Sequence, residues 1–235
     1  MISINFPYIH MHVDRKELGR IIGYEFTILE NCNKEVLNRR SETFSVCPSG
    51  MHIDIKKLTN EDLHRPVVID GRFLVDSVLR LHSTDSSINY SVIKIPPYEK
   101  RYGEMDDLMD WADYVSHPDR TMYVALAGHH IVGFVAAKRN WNQMAYVEDI
   151  QVDKRYRGHG LGRQLMNKIK EWAVGQGMVG MMLETQNNNV RACKFYERYG
   201  FVLGGFDQYV YRGIKEVANE IALYWYFIFD NQMGT

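Results

Sequence analysis

The sequence predicts a mixed α/β fold: a mostly antiparallel, twisted sheet around a central parallel βαβ unit, with helices on both faces. Three observations predict it. A strand, a glycine-rich turn, a helix and a second strand follow one another over residues 145–185. That is the order of a βαβ unit, whose two strands run parallel with a right-handed crossover. Antiparallel hairpin signals precede the unit and further strand signals follow it. All six prolines lie at or before Pro118, so the second half can run through uninterrupted helices and strands.

Taken in order, residues 1–50 show only a helical candidate near 14–22 and a CPSG turn. Met51 follows that turn, and HIDIKKLTNEDL then reads as a short alternating strand with a Thr-Asn-Glu-Asp helix start behind it. The domain proper is therefore 51–235, and 1–50 is either a genuine extension or sequence upstream of a start at Met51. Residues 67–80 and 88–94 read as strands around a polar turn, and 104–115 as an acidic helical stretch. TMYVALAG (121–128) and HIVGFVAAKR (130–139) form an apolar hairpin around Gly128, and AYVEDIQV (145–152) is the next strand. After the turn KRYRGHGLGRQ, residues 161–174 place Leu161, Leu165, Met166, Ile169, Trp172 and Ala173 on one face at a 3.6-residue period. Gly175 and Gly177 close that helix. VGMMLET (179–185) is a strand, and residues 187–200 form a second capped helix ending at Gly200. IALYWYFIF (221–229) reads as a buried final strand.

Composition narrows the function classes. With 46% hydrophobic and 24% charged residues the chain is globular, not disordered. Lys plus Arg (28) nearly equals Asp plus Glu (29), which gives no argument for nucleic acid or an anionic membrane as partner. Cys32, Cys47 and Cys193 form no CxxC pair, so a reduced, cytoplasmic setting is expected. No run of eighteen apolar residues is present, and the first residues lack a signal-peptide core. His129-His130 and His10-x-His12 lack further ligands at zinc spacing, so no metal is expected.

Arg155, Arg157, Gly158, Gly160 and Gly162 sit between a strand and a helix. Glycines at alternate positions let the backbone approach a ligand and turn several N–H groups toward one point, where the helix dipole and the arginines add positive charge. Such a turn suits a phosphate or pyrophosphate; a tight connection with solvated arginines is the plainer alternative. A Walker loop is excluded because Gly162 is followed by Arg163-Gln164. A dinucleotide fingerprint is excluded because its second and third glycines are three apart, against two here.

The segment RYRGHGLG, read as R/Q-x-x-G-x-G at 155–160, resembles the acetyl-CoA pyrophosphate loop of the GNAT N-acetyltransferase superfamily. A second motif of that superfamily follows at the required distance: Asn189, Ala192, Tyr196 and Gly200-Phe201. KRNWN (138–142), YVEDI (146–150), VGMMLETQNNN (179–189), ACKFY (192–196) and ALYWYFIF narrow the resemblance to the streptothricin acetyltransferases. It covers about 51–229, is weak before about 95 apart from PPYEKRY (96–102), and does not reach residues 1–50. The resemblance implies a GNAT fold and acetyl-CoA as co-substrate. Cofactor contacts are expected from Ile150, Gln151 and Val152, from Arg157, Gly158, His159, Gly160, Leu161 and Gly162, and from Asn189 and Ala192. The backbone at 150–152 would pair with the pantetheine arm as an added strand.

Acetylating an amine requires a neutral nitrogen, yet a lysine-like ammonium has a pKa of roughly 10.4. It also requires a proton for the departing thiolate. Strand alternation aims Glu148 and Asp149 at opposite faces, and similarity to aminoglycoside-acetylating relatives favours Glu148 as base. Either carboxylate alternatively only attracts a cation, the role expected of Asp149. Tyr196 stands where the GNAT pattern puts the acid for the thiolate; taken alone, an aromatic at this helical spacing is more often core than catalytic. The acidic run Glu104, Asp106, Asp107, Asp110, Asp113 is a solvated face or a steering patch for a polycation, with Asp106, Asp107 and Asp110 the substrate contacts. Trp141 is a cleft wall or core. Cys193 has no partner for nucleophilic catalysis. The expected function is acetylation of a primary amine of a cationic, streptothricin-type antibiotic by direct transfer in a ternary complex. A protein lysine or another small amine is the alternative acceptor, and a silent acyl-CoA-binding module the alternative class. A homodimer is left open.

Overall fold

The structure is a computed structural model and describes residues 53–84, 87–101 and 109–229. Residues 1–50 and, of the acidic run, Glu104, Asp106 and Asp107 lie outside the described residues. Nine strands are described: β1 (Asp54–Lys57), β2 (Phe73–Thr84), β3 (Ser87–Lys100), β4 (Arg120–Ala127), β5 (His130–Arg139), β6 (Met144–Val152), β7 (Gly180–Gln186), β8 (Val202–Asp207) and β9 (Ala222–Ile228). The described helices are α1 (Asp113–Ser116), α2 (Leu161–Gly175) and α3 (Val190–Tyr199). Seven strands form one sheet in the order β1-β4-β5-β6-β7-β9-β8. Every pairing in it is antiparallel except β6 with β7, the expected βαβ unit around α2.

The hairpin at 67–94 departs from expectation. It is a separate two-stranded antiparallel ribbon, β2 with β3, and its strands are Phe73–Thr84 and Ser87–Lys100. Val67 instead makes a single parallel bridge to Ile131. Pro96 and Pro97 are accommodated in β3 because Val75 pairs with Tyr98 and Ser77 with Lys94, which leaves 95–97 opposite Asp76 alone. A proline cannot donate to a ladder, so it sits at such an irregularity.

Two cores lie on the two faces of β4 and β5. Ala125, Val135 and Ala137 point to the larger one, with Leu165, Met166 and Ile169 of α2, Tyr196 of α3 and the buried Trp225 of β9. The predicted apolar face of α2 is the buried one, except that Trp172 is only partly covered. Met122, Val124, Phe134 and Ala136 point the other way, to Leu58 and to Tyr114 of α1. Burying a side chain such as Leu165 stabilises by about 1.5–3 kcal/mol, so these layers fix the sheet in place on both sides.

The Thr-Asn-Glu-Asp signal forms a short 3-10 turn, Asn60–His64, whose buried Asp62 receives the Thr59 amide at 3.0 Å and its hydroxyl at 2.7 Å. Lys56 at 2.9 Å and Arg65 at 2.8 Å complete the cluster. Burial alone would raise this carboxyl, but its partners hold it down at about 2.

Candidate active site

β6 and β7 are paired only over Met144–Val147 and Gly180–Leu183, although β6 runs on to Val152 and β7 to Gln186. Past Val147 the parallel ladder stops, and the two strands open a gap in the middle of the sheet. On its other side β6 slips against β5 at the same point. Ala136 pairs with Asp149 and Ala137 with Val147, so Glu148 is the extra residue of a β-bulge.

The bulge corrects the expectation that Glu148 and Asp149 face opposite ways. Ala145 and Val147 pack on the larger core, and past the bulge Ile150 and Val152 do so, a change from odd to even positions. Paired residues share a face, and Asp149 pairs with Ala136 of the second core. The Tyr114 hydroxyl, from that core, donates to Glu148 Oε2 at 2.7 Å. Both carboxylates therefore lie on the Tyr114 face.

Glu148 Oε1 meets Lys138 Nζ at 2.5 Å, and the two side chains are 16% and 24% exposed. The same ammonium sits 5.6 Å from the centre of the Tyr146 ring. Burial and the Glu148 carboxylate both push the Tyr114 hydroxyl upward, so it stays a donor. Asp149 Oδ2 accepts from Gln151 Nε2 at 2.8 Å. Across the gap, Glu184 is the first residue of β7 beyond the paired segment. The pairs Lys138–Tyr146, Tyr146–Met182 and Glu184–Tyr224 put Glu184 on the same face as Glu148. Tyr211 donates its hydroxyl to Glu184 Oε1. Burial pushes the Glu184 carboxyl up, opposed by that hydrogen bond. Sequence reading missed Tyr114, Lys138, Glu184 and Tyr211. The even positions of VGMMLET and LYWYFI carried the signal for the β7 and β9 faces, but nothing local ties Tyr114 to Glu148.

The far end of β6 runs into the glycine turn. Gly158 and Gly160 take left-handed φ values of 84° and 80°, and a Cβ on either would meet nothing within 4 Å. The first helical bond is Gln164 N–H to Gly160 O at 3.1 Å. The amides of Leu161, Gly162 and Arg163 therefore have no partner within the helix, at the positive end of its dipole. That is an open cradle of N–H groups which fits a pyrophosphate. The arginines serve differently from expectation. Arg157 donates to the carbonyls of Val152 (2.8 Å), Arg72 (2.8 Å) and Asp70 (3.1 Å), so its guanidinium ties the segment before β2 to the end of β6. Arg155 is on the buried Asp153 at 2.8 Å. Leu161 points into the core, and His159 is exposed. Gly162 lets α2 approach α3, since its Cβ would lie 3.5 Å from the Phe195 ring. Asn189 caps α3 by accepting from the Ala192 amide at 3.3 Å. Tyr196, on the inner face of α3, is 6% exposed beside Phe201 and Trp225.

Residues 87–201 match the acetyltransferase (GNAT) family. A streptothricin acetyltransferase of Escherichia coli is 35% identical over 158 residues, 67% of this chain and 86% of that protein. The chain belongs to the GNAT acetyltransferase family. Streptothricin acetyltransferase A of Bacillus subtilis is 39% identical over 133 residues, 57% of this chain and 75% of that protein. Among solved structures, a Bacillus anthracis protein assigned as a streptothricin acetyltransferase, in complex with acetyl coenzyme A, superposes with a TM-score of 0.71. It is 44% identical and covers 76% of this chain and 100% of that one. A nourseothricin acetyltransferase structure gives 0.63 at 30% identity, over 75% of this chain and 98% of that one.

Within this GNAT enzyme the remaining expected contacts are placed as follows. Trp141 is 85% exposed in the β5–β6 turn, so it is not core. Asp110 accepts from the Ala112 amide at 2.9 Å and caps the turn into α1. Asp113 pairs with Arg120 at 3.1 Å. Cys193 is buried, and burial pushes its thiol up to about 12. Among the described residues no group of three or more His, Cys, Asp or Glu side chains could hold a metal ion. No described helix is long and apolar enough to cross a membrane.

Proposed function

We propose that this enzyme transfers the acetyl group of acetyl-CoA to a primary amine of a streptothricin-type antibiotic, directly, with both bound at once. The observation that carries the proposal is the gap between β6 and β7. It has an amide cradle at one end, an open strand edge along its length and carboxylates on one face at its apex. The likeness to streptothricin acetyltransferases supports the choice of acceptor.

In this reading the amides that follow Gly158 and Gly160 hold the pyrophosphate, and Ile150–Val152 receive the pantetheine arm as an added strand. Acetyl-CoA supplies a thioester whose carbon is attacked by the amine. Glu148 takes the amine proton, directly or through water, and Tyr196 gives one to the departing sulfur. The C–S bond breaks, the C–N bond forms, and a thiol leaves. Asp149 now shares the acceptor face and attracts the cation. The buried, high-pKa thiol of Cys193 supports transfer without an acetyl-cysteine. The same reading keeps the chemistry within 51–235 and sets the protein in the cytoplasm, so a chain starting at Met51 turns over at the parental rate.

Release of free thiol from acetyl-CoA tests the acceptor against streptothricin, aminoglycosides, polyamines and lysine peptides. The proposal expects streptothricin to have the highest kcat/KM. Preference for a peptide or a polyamine would remove it.

A further inference from the structure

The mechanism above uses the carboxylates of β6 and leaves Glu184, on the opposite lip of the gap, without a task. We propose that Glu184, oriented by Tyr211, is the binding residue for a second cationic group of the acceptor, the reacting amine being held at Glu148. This deepens the proposed function and rests on it.

The case starts from what each carboxylate already has. Glu148 carries the Lys138 ammonium at 2.5 Å, and Asp149 carries the Gln151 amide at 2.8 Å. Glu184 has a neutral partner, the Tyr211 hydroxyl, and makes no ion pair with a cation among the described residues. The charged side chains that act on it are Lys100 and Glu220, and these are committed to each other at 2.6 Å. Asn188 fixes that pair by donating to Glu220 at 2.9 Å. Lys100 is therefore held away as a contact cation. A half-buried carboxyl with no cation in contact is costly to ionise, and burial accordingly raises its pKa. An ammonium or guanidinium brought by a ligand would complete it.

Position supports the same role. Glu148 and Glu184 each follow the last residue that β6 and β7 pair with one another, Val147 and Leu183, so they stand on the two lips where the gap begins. They share a face, together with Tyr146 and Tyr224. An acceptor with two cationic groups can span the gap, whereas a monoamine engages one lip. Tyr211 is itself buried and holds Glu184 in one orientation, which lowers the ordering cost of binding.

Steady-state kinetics with streptothricin at saturating acetyl-CoA test this on the full chain. Glu184→Gln is expected to raise the streptothricin KM by about tenfold to a hundredfold with kcat within about threefold. The acetyl-CoA dissociation constant stays parental, which shows that the variant is folded. Tyr211→Phe, which keeps the carboxylate but frees it, raises KM by a smaller factor and supplies the test if Glu184→Gln does not fold. An unchanged streptothricin KM in both variants overturns the inference. A kcat loss of tenfold or more at constant KM, recovering at high pH, also overturns it and makes Glu184 the proton acceptor. If the parental enzyme itself does not acetylate streptothricin, the proposed function has failed instead.

Discussion

Replacing Gly160 by alanine separates strain from contact at the cofactor turn. Gly160 has φ 80°, and its added Cβ would meet nothing within 4 Å, so alanine clashes with nothing but is strained by the backbone alone. A left-handed residue with a Cβ costs about 1–2 kcal/mol. The free protein can escape this by letting the turn relax, and a ligand that needs the left-handed turn must then restore it. The strain appears as lost affinity, about 5- to 30-fold in the acetyl-CoA dissociation constant. The melting temperature changes by only a few degrees, because a domain has about 5–15 kcal/mol in hand. Gly158→Ala, at φ 84°, should behave alike. Gly175 is the control: it ends α2 without a left-handed φ and its Cβ also meets nothing. Alanine there stabilises by about 0.4–1 kcal/mol and leaves affinity alone. Titration calorimetry and thermal melts read both quantities. Parental affinity in the Gly158 and Gly160 variants, or an equal loss in the Gly175 variant, would refute the reasoning.

Arg157→Met removes three bonds to carbonyls on an exposed side chain, so about 1–2 kcal/mol of stability is lost while acetyl-CoA affinity stays within about threefold. A large affinity loss without a lower melting temperature would instead make it a phosphate ligand. Glu148→Gln should lower kcat by about 10²–10⁴-fold, with part of the loss recovered at high pH, where the acceptor is already neutral. Tyr196→Phe should slow turnover while acetyl-CoA binding stays parental; full turnover in either variant contradicts its role. Asp62, held down at about 2 from 3.8, contributes roughly 2 kcal/mol that is whole above the unfolded pKa and lost as pH falls through the folded one. In urea unfolding, the deficit of Asp62→Asn against the parent should shrink by about half between pH 7 and about pH 3. A deficit that does not change with pH would contradict it.

The elements that sequence pattern revealed are those whose residues interact locally. The face of α2, the Asn189 and Gly200 caps of α3 and the β4–β5 hairpin each depend on periodicity or a turn within a few residues. The bulge at Glu148 was not legible, because AYVEDIQV reads as an unbroken strand. Only its register against Ala136 and Ala137 shows that Glu148 and Asp149 share a face. That β2 and β3 form a ribbon apart from the main sheet was likewise not legible, since a hairpin pattern says nothing about which sheet it joins. Arg157 looked like a phosphate ligand because a glycine-rich context favours one. Its carbonyl partners on Asp70 and Arg72 come from a segment more than eighty residues earlier. Tyr114, Glu184 and Tyr211 meet the site through contacts that span 34 and 27 positions, beyond any local pattern.

A crystal structure of the enzyme with CoA and streptothricin together tests the account most directly. The account predicts the pyrophosphate on the amides that follow Gly158 and Gly160 and the pantetheine arm alongside Ile150–Val152. The reacting amine would lie within reach of Glu148, and the sulfur near the Tyr196 hydroxyl. CoA bound away from the gap between β6 and β7, or an acceptor amine on the α2 face of the sheet, would contradict it.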